Sequence, residues 1–70
     1  MMNFKIFVSN HNGLKFKIEE DYPEVGVYLY VYEDNKCIKD YLQNTIDDCK
    51  EIALKEYGVQ FEKWEKFLNL

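Results

Sequence analysis

The segment 25–32 is a strict period-two run of aliphatic and aromatic side chains, and it constrains the fold more than any other part of the chain. Successive side chains of a β-strand point to opposite faces of a sheet, so the run predicts a central strand with two distinct faces. The aliphatic face carries Val25, Val27, Leu29 and Val31. The aromatic face carries Tyr28, Tyr30 and Tyr32. The aliphatic face needs a cover, which the helical pattern at 46–57 can supply.

A first hairpin is predicted from two shorter alternating runs on either side of Asn12-Gly13. A two-residue turn at Asn12-Gly13 would place Phe4, Ile6 and Val8 on the same face as two lysines. A three-residue loop, residues 11–13 with Gly13 in a bulge, instead pairs Val8 with Phe16. We therefore expect the longer loop, because it brings the apolar residues of both strands to one face.

A second hairpin is predicted at Asp34-Asn35, since both residues tolerate positive φ angles. A two-residue turn there pairs Val31 with Ile38 and Tyr28 with Tyr41. The same register places Asp40 on the aliphatic side, opposite Leu29.

The region after the hairpins is predicted to be helical. Asn44 or Thr45 caps a helix over 46–57, Gly58 ends it, and a second, shorter helix spans 61–68. The sequence thus predicts an α+β fold in one domain, residues 1–70. Its sheet is a four-stranded antiparallel meander covered on one face by a C-terminal helix plus a short second helix.

Composition limits the classes of function. The chain has a formal charge of −4 and no arginine, which disfavours phosphate binding as the default role. Cys37 and Cys49 could form a disulfide, but reduced, buried thiols fit better, because the N-terminus carries no signal peptide. We expect a cytoplasmic protein without a membrane segment.

No residue group indicates an enzyme. His11 stands alone in a tight turn, Ser9 lies outside any nucleophile motif, and glycine-rich phosphate loops are absent from the sequence. We expect no catalytic residues, no metal site and no cofactor.

The predicted outer sheet face is the candidate interaction surface. Its members are Tyr28, Tyr30, Tyr32, Tyr41, Phe7 and Lys39. Three interpretations stay open: an ordinary solvated face, a contact with another protein or a second copy, and single-stranded nucleic-acid binding by stacked rings beside lysines.

Three further features have alternative readings. Asp40 is a candidate special carboxylate if it lies on the apolar face, although an inward charge on an edge strand also blocks unwanted pairing. Trp64 can anchor the core or an interface, and the core is favoured. The acidic segment 19–24 is a solvated connection or a site that attracts a basic partner.

Several short stretches of the chain form a recognisable pattern. They are GVYLYVY at 26–32, KCI at 36–38, DYLQNT at 40–45 and EYGV at 56–59, followed by Trp64. They fit the pattern aromatic-Leu-Tyr-Val, Cys, Asp-x-Leu-Gln-x-Thr and aromatic-Gly-Val, and in this respect the chain resembles a family of short, uncharacterised bacterial proteins. This family has no assigned activity, so the resemblance supports the layout and implies no site.

The residues together predict a small, soluble, acidic protein-interaction module, homodimeric or similar to inhibitor or immunity proteins in size and charge. It would use the tyrosine-rich sheet face. Single-stranded nucleic-acid binding through the same lysine and tyrosine face is the alternative.

Overall fold

The computed structural model describes residues 4–67, in which an antiparallel sheet is covered on one face by a single α-helix. The elements in chain order are β1 (Ile6–His11), β2 (Leu14–Glu20), β3 (Val27–Glu33), β4 (Lys36–Gln43), α1 (Ile46–Tyr57), a 3₁₀ turn (Phe61–Lys63) and β5 (Glu65–Phe67). The strand order is β4-β3-β2-β1-β5. The α+β class and the four-stranded meander are confirmed, and a fifth strand joins the edge at β1.

The core lies between the sheet and α1, on what we call the inner face. Its buried members are Phe16, Ile18, Val27, Leu29, Val31, Cys49, Ala53, Val59 and Trp64. Every second residue of β3 from Val27 to Val31 is buried, as the alternation predicts. Val25, in contrast, precedes the strand and is exposed.

Helix α1 has the predicted bounds and caps. The Thr45 hydroxyl accepts a hydrogen bond from the Asp48 amide at 3.0 Å. Gly58 ends the helix in the left-handed conformation, with its own amide donating to the Leu54 carbonyl and the Val59 amide donating to the Ala53 carbonyl. The cap turns the chain back, and Val59 is fully buried beneath it.

The predicted three-residue loop of the first hairpin is wrong. Asn12 and Gly13 form a two-residue turn with φ angles of 51° and 80°, and Ser9 rather than Val8 lies opposite Phe16. Asn-Gly is the preferred pair for this turn, and its local preference decides the register. The odd-numbered residues of β1, including Phe7, therefore face the core.

The turn of the second hairpin is confirmed, but its register is partly wrong. Asp34 and Asn35 have φ angles of 50° and 66°, and Tyr32 pairs with Cys37 as predicted. A β-bulge at Ile38 then shifts the pairing by one residue. Because the side-chain period is two, this shift moves every later residue of β4 to the opposite face from the one predicted.

The predicted second helix is also wrong. A 3₁₀ turn, closed by the Lys63 amide on the Gln60 carbonyl at 3.0 Å, leads into β5, which pairs with β1. A helix this short has little stability of its own, whereas the edge of β1 offers unpaired backbone groups. Leu68, the last residue of the predicted helix, lies outside the described residues.

Trp64 belongs to the core, as favoured from the sequence. It is 9% exposed and contacts Phe16 edge to face, with ring centroids 6.3 Å apart. Next to it, the Ser9 hydroxyl donates to the Lys63 carbonyl at 3.0 Å. This bond satisfies a buried hydroxyl and fastens the 3₁₀ turn to β1.

Candidate interaction surface

The side of the sheet opposite α1, here called the outer face, is not covered by any other described element. Pairing across the five strands arranges its side chains in three rows. The first row is Phe67, Ile6, Glu19, Tyr28 and Leu42. The second row is Glu65, Val8, Lys17, Tyr30 and Asp40. The third row is Asn10, Lys15, Tyr32 and Cys37.

Three tyrosine rings form a ladder along β3. Tyr28 and Tyr30 are stacked, with centroids 5.5 Å apart and planes inclined by 15°. Tyr30 and Tyr32 follow at 6.3 Å and 40°. All three are half-buried, so each ring leans on its neighbours and still presents surface to solvent. The ladder is a preorganised aromatic ridge.

Lys17 lies against this ridge. Its ammonium is 5.3 Å from the Tyr30 ring centroid and 6.0 Å from that of Tyr32, and it pairs with a Glu19 carboxylate oxygen at 3.4 Å. Desolvation lowers the pKa of Lys17, but Glu19 and the Tyr32 phenol outweigh it and the net pKa is raised. The pKa of Tyr30 is raised by desolvation and then by Glu19. The centre of the outer face thus combines ring stacking, a cation and a carboxylate.

Apolar side chains flank the ridge on both sides. Leu42, on edge strand β4, is 50% exposed, and Phe67, on edge strand β5, is 53% exposed. Ile6 and Val8 lie half-buried on β1 beside Phe67. An open groove of about 460 Å³ lies over this part of the face, with Val8, Lys15, Lys17, Tyr32 and Phe67 among its lining residues.

The charges of the outer face nearly balance. Among residues 4–67, its two lysines are Lys15 and Lys17, and its three carboxylates are Glu19, Asp40 and Glu65. The sum is one negative charge, so the face has no excess of cations for a polyanion.

Three of the six predicted surface residues come together there, and three do not. Tyr28, Tyr30 and Tyr32 lie on the outer face as predicted. Phe7 faces the core, where the Lys50 ammonium of α1 lies 4.9 Å from its ring centroid, because the first hairpin has the shorter turn.

Tyr41 and Lys39 leave the predicted surface because of the bulge in β4. Tyr41 lies opposite Leu29 on the inner face, with its hydroxyl 3.1 Å from that of Tyr57. This hydrogen bond and desolvation raise the pKa of Tyr41 to about 12. Lys39 lies opposite Val31, with its ammonium 5.7 Å from the Tyr41 ring centroid.

Asp40 is not the inward carboxylate that the sequence predicts. The bulge places it opposite Tyr30 on the outer face, where it is exposed on the edge strand. No apolar burial surrounds it, so the reason for treating it as a special acid disappears. A charge at this position discourages pairing with another strand edge.

Sequence reasoning missed four apolar residues of the outer face: Ile6, Val8, Leu42 and Phe67. The Asn-Gly turn signal was enough to place the first two, had it been given more weight than the apolar pattern. Leu42 depends on the bulge at Ile38, for which the sequence carries no clear signal. Phe67 depends on β5, whose i, i+3 aromatic spacing also fits a helix.

Other candidate groups stay apart. Cys37 and Cys49 are free thiols. Cys49 is buried under α1 as predicted, but the predicted burial of Cys37 is wrong, because it lies exposed on edge strand β4 opposite Tyr32. Burial and Asp48 raise the pKa of the Cys49 thiol to about 11, which makes it an inert packing group. Within residues 4–67, no three His, Cys, Asp or Glu side chains are grouped so as to hold a metal ion.

Within residues 4–67 the one α-helix is α1, which has 12 residues. No helix there combines the length and apolar character that spanning a bilayer requires.

Comparisons with protein-family models, curated proteins and solved structures found no match to this chain. The resemblance to short bacterial proteins therefore stays a prediction, and any functional argument depends on the outer face itself.

Proposed function

We propose that this protein is a small, soluble, acidic interaction module that contacts another protein, or a second copy of itself, through the outer face. The observation that carries the proposal is the stacked Tyr28–Tyr30–Tyr32 ladder, open to solvent and flanked by exposed Leu42 and Phe67. Tyrosine gives a large, rigid contact area with a polar tip, and contiguous apolar surface on a small domain is typical of interaction sites. The proposal assigns no catalytic role.

The proposed cellular location is the cytoplasm. Free thiols at Cys37 and Cys49 support a reducing compartment.

Photo-crosslinking from single positions tests the proposal. A benzoylphenylalanine replaces Tyr30 on the outer face, and the matched control carries it at Lys55 on the exposed side of α1. We expect crosslinked protein from the first position and none from the second. Equal crosslinking from both positions, or none from Tyr30, would contradict a role for the outer face.

Substitution of the same residue gives a second readout. Tyr30→Ser should lower the molar mass in solution, or remove partners that are captured by the native protein, without loss of the fold. Unchanged mass and unchanged partners would leave the tyrosine ladder without a role in binding.

Single-stranded nucleic-acid binding is the alternative candidate, because Lys15 and Lys17 lie beside Tyr32 and Tyr30. It has less support, since three carboxylates share the face and Lys17 is already paired with Glu19. Binding of this kind weakens steeply with salt and quenches tyrosine fluorescence by base stacking. Absence of both effects with short oligonucleotides at low salt would exclude it.

A further inference from the structure

We infer that the occupant of the outer face is a second copy of this chain, packed face to face about a two-fold axis that runs parallel to the strands between β2 and β3. The inference rests on the proposed function and names its partner. It follows from the order in which side-chain types cross the face. The column of β4 is aliphatic with an acid, and that of β3 is aromatic. The column of β2 carries Lys15 and Lys17 with Glu19, and that of β1 is mainly aliphatic.

Such an axis brings unlike columns together. The tyrosine column of one copy lies over the Lys15–Lys17 column of the other, so that Tyr30 meets Lys17. The monomer already shows this contact chemistry, with the Lys17 ammonium 5.3 Å from the Tyr30 ring centroid. In the adjacent row, the Tyr28 phenol meets Glu19, which is an acceptor for its hydroxyl proton.

The outer columns also match. Leu42 of one copy meets Ile6 of the other, so that one exposed aliphatic side chain covers another. Asp40 of one copy lies over Val8 of the other. In that second copy, Lys17 is one strand spacing, about 4.8 Å, to the side of Val8. The flexible lysine side chain spans that offset. The Lys17 ammonium has three donors, so it keeps Glu19 of its own copy and forms a second ion pair with Asp40 of the opposite copy.

The overlapping region carries no net charge in either copy. Lys15 and Lys17 balance Glu19 and Asp40, whereas Glu65 on β5 lies beyond the overlap. Sheets that pack face to face lie about 10 Å apart, which is room for interleaved tyrosine and lysine side chains. Association in this arrangement therefore buries no unbalanced charge.

The area is that of a weak dimer. Four strands at about 4.8 Å and six residues at about 3.4 Å give roughly 400 Å² of flat sheet per copy. Because side chains project from the sheet, the accessible surface buried on both copies together is about 1,000 Å², the lower end for specific interfaces. The dimer should therefore form at micromolar to millimolar concentrations and dissociate on dilution.

A charge-swap experiment tests the arrangement by sedimentation equilibrium over that concentration range. Lys17→Glu alone places two acids together at each ion pair, and Asp40→Lys alone places two cations together, so each variant should weaken the dimer at least tenfold. An equimolar mixture restores both pairs in a heterodimer, and its dissociation constant should return to near the native value. Lys55→Glu and Glu62→Lys make the same charge changes away from the face and should have no effect.

The outcomes separate this inference from the proposed function. A native protein that stays monomeric at millimolar concentration, or a mixture that stays as weak as the single variants, overturns the second-copy arrangement. If Tyr30 then still crosslinks to a different protein, the outer face remains an interaction surface. If it crosslinks to nothing, the inference and the proposed function both fail.

Discussion

The two faces of β3 have similar apolar content but very different surroundings. On the inner face, Leu29 and Val31 have no exposed surface and contact α1 and the neighbouring core. On the outer face, Tyr30 is half-buried by its own neighbours and by Lys17, and no element within residues 4–67 lies above it. Because its side chains alternate strictly, β3 stabilises the fold with one set of side chains and leaves the other set available for contact.

The faces also differ in how their polar groups are satisfied. The Cys49 thiol on the inner side donates to the Val27 carbonyl, and Ser9 donates to Lys63. On the outer face, Lys17 and Glu19 are paired with each other at a partly exposed site. These two inner groups are satisfied within the fold, whereas the buried indole N–H of Trp64 has no hydrogen-bond partner among residues 4–67. The outer charges can exchange partners at low cost.

The largest expected difference is between adjacent residues of β3. Leu29→Ala should lower the free energy of unfolding by about 2–5 kcal/mol, because it leaves a cavity in the core. Tyr30→Ala should cost about 1 kcal/mol or less, since the site is open to water. Urea unfolding measures both. If Leu29→Ala does not fold, Ile18→Val on the inner face, at about 1 kcal/mol, is compared with Tyr30→Phe on the outer face, which should change the stability by no more than about 0.5 kcal/mol. Equal losses of unfolding free energy on the two faces would contradict the burial of one face and the exposure of the other.

The start of β3 gives the next largest effect. Gly26 has a φ angle of 121°, and a side chain there would collide with the carbonyl oxygen of Gln43. Gly26→Ala should therefore cost at least about 2 kcal/mol. Gly13→Ala is the matched control, because its φ angle is also positive, at 80°, but no atom lies near the added carbon. It should cost only about 1 kcal/mol. A Gly26→Ala variant as stable as the native protein would contradict the steric constraint on the residue that precedes β3.

The smallest expected effect is a loss of stability at high pH through Tyr41, which is hydrogen-bonded to Tyr57 at the edge of the inner face. The pKa of Tyr41 is about 12 in the folded protein against 10.0 for the unfolded reference, chiefly through its hydrogen bond to Tyr57. Stability from this group is therefore complete below pH 10.0 and is lost as the pH rises towards 12. Tyr57→Phe should make the decline shallower, and Tyr28→Phe on the outer face should leave it unchanged.

Thermal unfolding as a function of pH measures this decline. The Cys49 thiol, with its pKa raised from 9.0 to about 11, contributes a loss between those pH values in every variant. This Cys49 contribution is the same in all variants, so it cancels when their declines are compared. An identical decline in Tyr57→Phe and the native protein would show that the hydrogen bond does not control the titration.

Local signals were sufficient for much of the fold. The alternation in β3, the Thr45 cap and the Gly58 cap each depend on nearest neighbours in the chain, and each is confirmed. The Asp34-Asn35 turn is confirmed for the same reason.

Two wrong predictions concern features whose structure is determined by distant parts of the chain. The Ile38 bulge and β5 both depend on backbone partners that lie across the sheet, and a single-residue shift exchanged the faces of Asp40 and Tyr41. The first hairpin was different, because its local turn signal was correct and the apolar pattern of β1 was misleading. Three of the six predicted surface residues, those contributed by β3, consequently lie where the sequence placed them.

The central claim is that aliphatic side chains of β3 lie under α1 and its tyrosines face solvent. Proton NMR of the native protein, at a concentration below self-association and with a soluble paramagnetic gadolinium chelate, tests it most directly. We expect strong broadening of the Tyr28, Tyr30 and Tyr32 ring signals, and protected methyl signals for Leu29 and Val31. Protected tyrosine rings together with broadened methyl signals would contradict it.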